Sequence, residues 1–271
     1  MNSQVMADAA VSEAGPERCR MLSILLPVRN EGINLRIMLK ILRAVVEGPH
    51  EVLVVYDSQT DTSIAVVEEI QRSYPELRGV LNAVGRGVVN AIRAGVAAAN
   101  GDVILIFAAD EVGPVLAIED MIALIREGCD LVSCTRYAHG GRRLGGSAIG
   151  GILSRCANWL FHRICSSPFT DATTGIKMFR REVFDRLNLE SRPVGWAVAF
   201  EIAIKAQNAG LRLGEVPIVS IDRLYGGEST FRVGPWVIEY SRWFLWGMKG
   251  ALTRKDQLTR SVTVRIPKFY R

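Results

Sequence analysis

Three acidic residues stand just past three apolar runs. Glu31 follows "LSILLPV" (22–28), Asp57 closes "EVLVVYD" (51–57), and Asp110 follows "VILIF" (103–107) after two alanines, Ala108 and Ala109. Carboxylates so placed can hydrogen-bond a base or a ribose, and one or two of them can hold a hard divalent cation on oxygen ligands. Arginines lie further along the chain. Between 131 and 170 there is no Asp or Glu, but there are five arginines: Arg136, Arg142, Arg143, Arg155 and Arg163. Guanidinium groups grip a pyrophosphate bidentately. Acids and arginines together suit transfer from a nucleotide diphosphate donor. Each acid alone reads equally well as a helix cap or a solvated loop residue; the three together carry the chemical reading.

Other chemistries lack their residues. No Gly-x-x-x-x-Gly-Lys-Ser/Thr phosphate loop occurs. "GRG" at 85–87 is too short for a dinucleotide fingerprint and follows the third apolar run, not the first. There is no Gly-x-Ser-x-Gly elbow. The five cysteines include no Cys-x-x-Cys pair, and the three histidines lack metal-ligand spacing, so reduced thiols are expected and a zinc site is not.

The elements that position these residues show in the hydrophobic period. Strands are predicted at 22–28, 51–57, 79–84 (weakly), 103–107 and 131–137. Between them Leu35, Met38, Leu39 and Leu42, then Ile64, Val67 and Ile70, then 85–102 follow helical spacing. The alternation predicts an α/β fold with a mostly parallel sheet, buried on both faces. Ligands in such sheets sit at the carboxyl ends of the strands, where Pro27 to Glu31, Val55 to Asp57 and Ala108 to Glu111 all lie. After 130 a glycine-rich basic loop (139–151), expected to be mobile, a helix to about Cys165, the run "TDATTGIKMF" (170–179), a helix near 197–209 and "LGEVPIVSIDR" complete the domain.

The chain has 271 residues, is 49% hydrophobic and carries a formal charge of +5, as an ordinary globular protein does. Residues 1–20 read as a loose leader. No run reaches the roughly 18 apolar residues of a spanning helix. "PWVIEYSRWFLWGM" (235–248) is interrupted by Glu239 and Arg242. Trp236, Tyr240, Trp243, Phe244 and Gly247 share one helical face. That face either packs on the sheet or a second subunit, or lies at a membrane surface with the basic tail from Lys249 to Arg271 behind it.

Seven blocks occur in the order found in family 2 glycosyltransferases of GT-A fold: "LLPVRNEGINL", "VLVVYDSQTDTS", "GRGVVNAIRAGVAAANGDVILIFAAD", "LVSCTRY", "TDATTGIKMFRREVF", "EIAIKAQNAGLRLGEVPI" and "DRLYGGEST". The chain most resembles the dolichol-phosphate (polyprenyl-phosphate) mannosyltransferase type, over roughly residues 21–232. The resemblance implies a GT-A domain at 21–232, followed at 233–271 by a C-terminal amphipathic helix and basic tail. It implies that Pro27, Arg29, Glu31, Val55 and Asp57 bind the nucleotide, with Asp57 on the base. Ala108, Ala109 and Asp110 occupy the Asp-x-Asp motif that holds the divalent metal and diphosphate, so Asp110 is the expected metal ligand, with Mg2+ or Mn2+ the cofactor. Arg136 and Arg223 are expected to face the donor, and Asp171 and Glu201 the acceptor side. Asp110, Asp171 and Arg223 are the expected catalytic set.

The departures matter. Ala108 replaces the first acid of Asp-x-Asp, Tyr56 the first of two acids, Arg29 a Tyr, Cys134 a Gly, and Thr230 a Lys. Three explanations stay open. In the first, Asp110 holds a metal with help from water, Glu111 or the donor; in the second, Arg29, Arg136 and Arg223 replace the metal; in the third, transfer activity is lost. The expected function is inverting transfer of a hexose, mannose or glucose, from a nucleotide diphosphate sugar to a polyprenyl phosphate. The alternatives are a lipid or polysaccharide hydroxyl acceptor, with Asp171 or Glu201 as general base, and a non-catalytic nucleotide-sugar binder. The expected location is the cytoplasmic membrane face, peripherally bound. A homo-oligomer is compatible with this reading, and a nucleic-acid partner is not expected.

Overall fold

The computed structural model describes residues 19–145, 148–221, 233–253 and 259–268. Its strands are β1 (Leu22–Val28), β2 (His50–Tyr56), β3 (Leu77–Leu81), β4 (Val103–Ile106), β5 (Leu131–Thr135), β6 (Arg142–Leu144), β7 (Lys177–Arg180), β8 (Leu213–Pro217), β9 (Val219–Ile221) and β10 (Thr263–Val264). The helices are α1 (Gly32–Val45), α2 (Ser63–Gln71), α3 (Val88–Ala98), α4 (Ile118–Arg126), α5 (Ala148–Cys165), α6 (Arg181–Leu187), α7 (Ala197–Asn208) and α8 (Val233–Thr253). The main sheet has the order β10-β8-β5-β7-β4-β1-β2-β3, and β6 pairs with β9 in a separate two-stranded ribbon.

Strand alternation builds two cores, one on each face. Leu22, Ile24 and Leu26 of β1, Val52 and Val54 of β2, and Val103 and Leu105 of β4 point to one core with α1, α2 and α4. Leu25, Leu53, Val55, Ile104 and Ile106 point to the other, with α3 and α7. Continuous apolar runs are what a sheet covered on both faces requires. In α1 the buried Leu35, Met38, Leu39 and Leu42 follow the helical period and cover the first face.

β1, β2, β3, β4, β5, β8 and β10 run parallel, as expected, but β7 is antiparallel to both β4 and β5. Between β5 and β7 the chain passes through β6 and α5, whose Phe161 and Cys165 enter the second core. It re-enters the sheet from the edge at which β5 ends, so β7 runs opposite to its neighbours. The carboxyl ends of β1, β2, β4 and β5 and the loop entering β7 thus share one edge.

One other expectation changes. The glycine-rich stretch 139–151 contains β6, whose Arg142, Arg143 and Leu144 pair with Val219, Ser220 and Ile221. Of the two placements left open for the aromatic face of the C-terminal helix, Trp243 and Tyr240 take the packed one. Trp243 is 1% exposed, and the Tyr240 ring stacks on Phe200 and Trp236 at 5.3 and 5.6 Å. Gly247 lies against Phe161 and Ile204. The aromatic rings fill the second core because α7, apolar on nearly all sides, needs a cover. None of the described helices is long and apolar enough to cross a membrane.

The ribbon is pressed onto the loop after β4. A Cβ on Gly113 would lie 2.2 Å from the Val219 carbonyl oxygen. Gly113→Ala is therefore expected to lower stability by about 1–3 kcal/mol, through backbone displacement at β9. A thermal midpoint equal to that of the parent chain would contradict this contact.

Candidate active site

The nucleotide-side residues sit at adjacent strand ends. Pro27 and Val55 are register partners across β1 and β2, Val55 fully buried and Pro27 half-buried. Arg29 is exposed beside them. The turn that follows is held by Asp61, which accepts the Asn30 amide at 3.0 Å and the Ser63 amide at 2.8 Å. Asn30 takes a positive φ of 57° there. Glu31 accepts a hydrogen bond from Asn34 Nδ2 at 2.8 Å, and its own amide donates to Ser63 Oγ.

Asp57, half-buried, uses both oxygens on the chain itself. Oδ1 accepts Asn82 Nδ2 at 2.7 Å and Oδ2 accepts the Gly87 amide at 3.1 Å. It thereby ties down the glycine loop that opens α3. Gly87 has φ +109°, and a Cβ there would meet Pro193 at 2.5 Å, so only glycine fits.

Ala108 and Ala109 are buried at 9% and 4% exposure, and the chain reaches solvent only at Asp110. Glu111 accepts a hydrogen bond from Ser220 Oγ at 3.1 Å, linking the loop to β9. Among the described residues, no group of three His, Cys, Asp or Glu side chains could hold a metal. The described residues therefore offer no complete cage. Asp110 fits the kind of site in which magnesium keeps several waters and takes further oxygens from phosphates.

The structure brings Arg136 and Asp171 together. Arg136 Nε donates to Asp171 Oδ2 at 2.7 Å, Nη2 to Oδ1 at 3.0 Å, and its backbone amide to Oδ2 at 3.2 Å. Asn158 Nδ2 and Thr173 Oγ1 complete the shell of Asp171 at 3.1 and 2.9 Å. The carboxylate is fully buried. Burial pushes its pKa up, but the adjacent guanidinium and its hydrogen bonds prevail and hold it below the ordinary value. Arg136 thus spends its fork on Asp171. Glu201 is likewise fully buried; it accepts the Ser191 amide at 2.8 Å and pairs with Lys205 at 2.8 Å. Arg223 and the block around it lie outside the described residues, as does the leader up to residue 18.

Behind the pair sit two buried ionisable groups that the sequence did not single out. Lys177, at the head of β7, donates to Ser133 Oγ at 2.9 Å, and burial lowers its pKa to about 8 against the pull of Asp171. Glu215 on β8 accepts Thr170 Oγ1 at 2.8 Å and the Thr170 amide at 3.0 Å. Burial raises it to about 7 despite those bonds.

Next to the Arg136–Asp171 pair opens a cavity of about 290 Å³, whose lining includes Arg136, Tyr137, Arg142, Arg143 and Arg155. The guanidinium carbons of Arg136 and Arg155 each lie 5.2 Å from the Tyr137 ring centre. Tyr137 Oη donates to Ser154 Oγ at 2.9 Å, fixing the ring between β5 and α5. Arg155, stacked on the aromatic face, keeps its N–H edge for an anion, whereas that of Arg136 goes to Asp171. The acid-free, arginine-rich stretch was the sequence signal for this cavity; its closure by β6 and α5 was not readable.

The comparisons agree with this architecture. The model of glycosyl transferase family 2 matches residues 23–187. The chain belongs to that family. Glycosyl transfer is therefore its class of activity. It is 25% identical over 278 residues to a dolichol-phosphate mannosyltransferase of Pyrococcus furiosus, covering 91% of this chain and 74% of that one. It is 26% identical over 216 residues to glycosyltransferase AglD of Haloferax volcanii; that match covers 78% of this chain but only 34% of AglD. Among solved structures, glucosyl-3-phosphoglycerate synthase of Mycobacterium tuberculosis in complex with Mn2+, UDP-glucose and phosphoglyceric acid superposes with a TM-score of 0.64. The identity is 18%, over 85% of this chain and 80% of that one, which shows the shared GT-A fold.

Two measurements check the buried network. Asp171→Ala strands the Arg136 charge and is expected to cost about 3–5 kcal/mol of stability; an unchanged thermal midpoint would refute the pairing. Glu215 titrates near 7 when folded and near 4.5 when unfolded. Across that window the folded chain holds a proton that the unfolded chain releases, so this group's contribution falls as pH rises. Lys177 acts in the opposite sense above about pH 8. A midpoint declining by a few degrees from about pH 5 to about pH 7, and flattened in Glu215→Gln, is the expected signature.

Proposed function

We propose that this chain transfers a hexose, with inversion, from a nucleotide diphosphate sugar to a phosphate-bearing acceptor, and that the acceptor is a polyprenyl or dolichyl phosphate. The arginine cavity carries the reading. Among the described residues its lining holds four guanidinium groups and no carboxylate, beside the strand edge where the family binds its donor. A phosphate acceptor is already a nucleophile. Its oxygen attacks the anomeric carbon, the bond from that carbon to the diphosphate breaks, and the bonding electrons leave with the nucleotide. No general base is needed. The two carboxylates considered for that task, Asp171 and Glu201, are fully buried and committed to internal partners, which weighs against a hydroxyl acceptor.

In this reading Arg142, Arg143 and Arg155 hold the acceptor phosphate, and Arg136 is positioned by Asp171 to face the same cavity. Pro27, Arg29, Val55 and Asp57 shape the nucleotide side. Asp57 acts partly through the glycine loop it anchors. Asp110 would hold a divalent cation, which supplies charge neutralisation for the leaving diphosphate when bound. Positioning and fixed positive charge do the rest. The acceptor's chemistry also suggests work at the cytoplasmic membrane face.

The test uses purified protein, GDP-mannose or UDP-glucose, and polyprenyl phosphate, with magnesium or with EDTA. Transfer dependent on magnesium is expected. Arg143→Ala should raise the acceptor KM roughly tenfold or more with little change in donor KM, and Asp110→Asn should remove metal-dependent donor binding. Donor binding without turnover on polyprenyl phosphate or on a soluble phosphomonoester would overturn the assignment. Turnover on the soluble ester alone would keep the phosphate chemistry and reject the lipid.

A further inference from the structure

Glu215 is a buried carboxylate that the transfer reaction does not use directly. It lies in β8 with no exposed surface, paired in register with Ser133 of β5 on one side and Val264 of β10 on the other. Its two oxygens serve two branches. Oε1 accepts the Thr170 and Asp171 amides at 3.0 and 3.3 Å. That branch fixes the backbone of Asp171, whose carboxylate holds Arg136. Oε2 accepts Thr170 Oγ1 at 2.8 Å. Thr170 Oγ1 lies 2.6 Å from Thr135 Oγ1, and Thr135 Oγ1 accepts the Tyr137 amide at 3.2 Å. The branches therefore end on consecutive residues, Arg136 and Tyr137, and both line the arginine cavity.

The second branch has a direction. An amide N–H only donates and an ionised carboxylate only accepts, so the two hydroxyls between them are forced to point the same way. The Tyr137 amide donates to Thr135, Thr135 to Thr170, and Thr170 to Glu215. A proton on the carboxyl breaks this order. On Oε1 it faces two amides, which are donors themselves. On Oε2 it donates to Thr170, Thr170 turns back toward Thr135, and the buried Thr135 hydroxyl loses its acceptor. We propose that Glu215 is a positioning residue, and that its ionised form, acting through the Thr170 and Thr135 hydroxyls, sets the Tyr137 wall of the cavity for an anionic acceptor. This role rests on the phosphate-acceptor reading for what the cavity binds.

The ionisable groups around Glu215 are mostly committed. Asp171 and Arg136 hold each other, and Lys177 on β7 donates to Ser133 and titrates at about 8. Burial pushes the Cys134 thiol on β5 and the Tyr240 hydroxyl on α8 well up. On α7 Glu201 pairs with Lys205, on α5 His162 bonds the Ser167 carbonyl, and after β10 Arg265 turns to Asp120 and Glu127 of α4. Burial raises Glu215 itself to about 7. Above that value the carboxylate is ionised and the hydroxyls are ordered; below it the order is lost. Tyr137 carries the ring on which Arg155 stacks, so the state of Glu215 reaches a guanidinium that faces the acceptor.

The experiment is amide nuclear magnetic resonance on the isotope-labelled full chain carrying His139→Asn, titrated from about pH 5.5 to about pH 8.5. That substitution removes an exposed imidazole near Tyr137, and asparagine tolerates the positive φ found there. The amides of Thr170, Asp171 and Tyr137 are expected to shift together with one midpoint near 7. In Thr170→Val the Tyr137 amide should lose that midpoint, while the Asp171 amide, bonded to Glu215 directly, keeps it. Thr170→Ser should restore it at Tyr137. A Tyr137 amide with no such midpoint in the parent chain, or one that keeps it in Thr170→Val, overturns the relay. Transfer to polyprenyl phosphate gives the second readout. Thr170→Val should raise the acceptor KM roughly three- to tenfold at about pH 8 and by less at about pH 6, where the parent has already lost the order, with donor KM little changed. An equal rise at both pH values, or a change confined to donor KM, overturns the positioning role. If the parent transfers to no phosphate acceptor, the acceptor reading fails and the amide titration still decides the relay.

Discussion

The arrangement of the arginine cavity depends on one buried ion pair, Arg136 with Asp171. Taking two charges out of water costs several kcal/mol each, and the cost is recovered only when geometry and hydrogen bonding are close to complete. Here they are: Asp171 accepts from a guanidinium, a backbone amide, an amide side chain and a hydroxyl. The same shell ties together three pieces distant in sequence. Arg136 ends β5, Asp171 and Thr173 lie in the loop before β7, and Asn158 and Ser154 belong to α5. Ser154 shares a hydrogen bond with Thr173 at 2.8 Å, and Asn158 Oδ1 accepts the Ala172 amide at 2.8 Å. A carboxylate so committed is a scaffold, and the cavity walls stand where it puts them.

The reversed strand enters beside the same network. Asn158 of α5 is bonded to Asp171 and Ala172 in the loop before β7, and β7 runs antiparallel between β4 and β5. That brings Lys177 to the sheet centre just beneath the pair. The buried cation is tolerable because Ser133 accepts its proton and Asp171 and Glu215 are near. Burial nonetheless drives Lys177 and Glu215 toward their neutral forms from opposite sides. The floor of the site is thus a set of polar groups with little net charge, and the arginines of the cavity dominate the local field.

Periodicity carried most of the fold because it reports burial directly. The runs at 22–28, 51–57 and 103–107 carry apolar residues at both odd and even positions, so they had to be covered on both faces, and they are. The direction of β7 left no such trace: "IKMF" reads the same up or down, and its sense depends on the edge at which the chain re-enters the sheet. The inward face of α8 was ambiguous for a related reason. Tryptophan and tyrosine suit a core and a headgroup layer alike, and only the demand of α7 for a cover selects the core. At the candidate site, Asp57, Asp110 and Asp171 were visible in the sequence as acids. Their partners were not, since the pairing of Arg136 with Asp171 or of Asp57 with Gly87 spans loops whose closure no local pattern encodes.

Ala108 can now be placed against its surroundings. The strand end there is buried and apolar, with Ala109 packed in the first core. An acid at 108 would stand at the same edge as Asp110, across a loop from Glu111, whose carboxylate is held by Ser220. Ser220 is also the register partner of Arg143. The ribbon of β6 and β9 therefore carries guanidinium groups to within one strand of the loop that ends in Asp110. Removing one carboxylate from that loop while adding fixed cations beside it shifts the balance of charge the same way twice. On the proposed reading, such an edge relies less on a bound cation and more on the protein's own arginines to face two phosphate groups at once, the donor's diphosphate and the acceptor's phosphate. A second acid would repel both. The alanine is then consistent with a site built for two anionic substrates, and loss of the acid need not mean loss of the reaction.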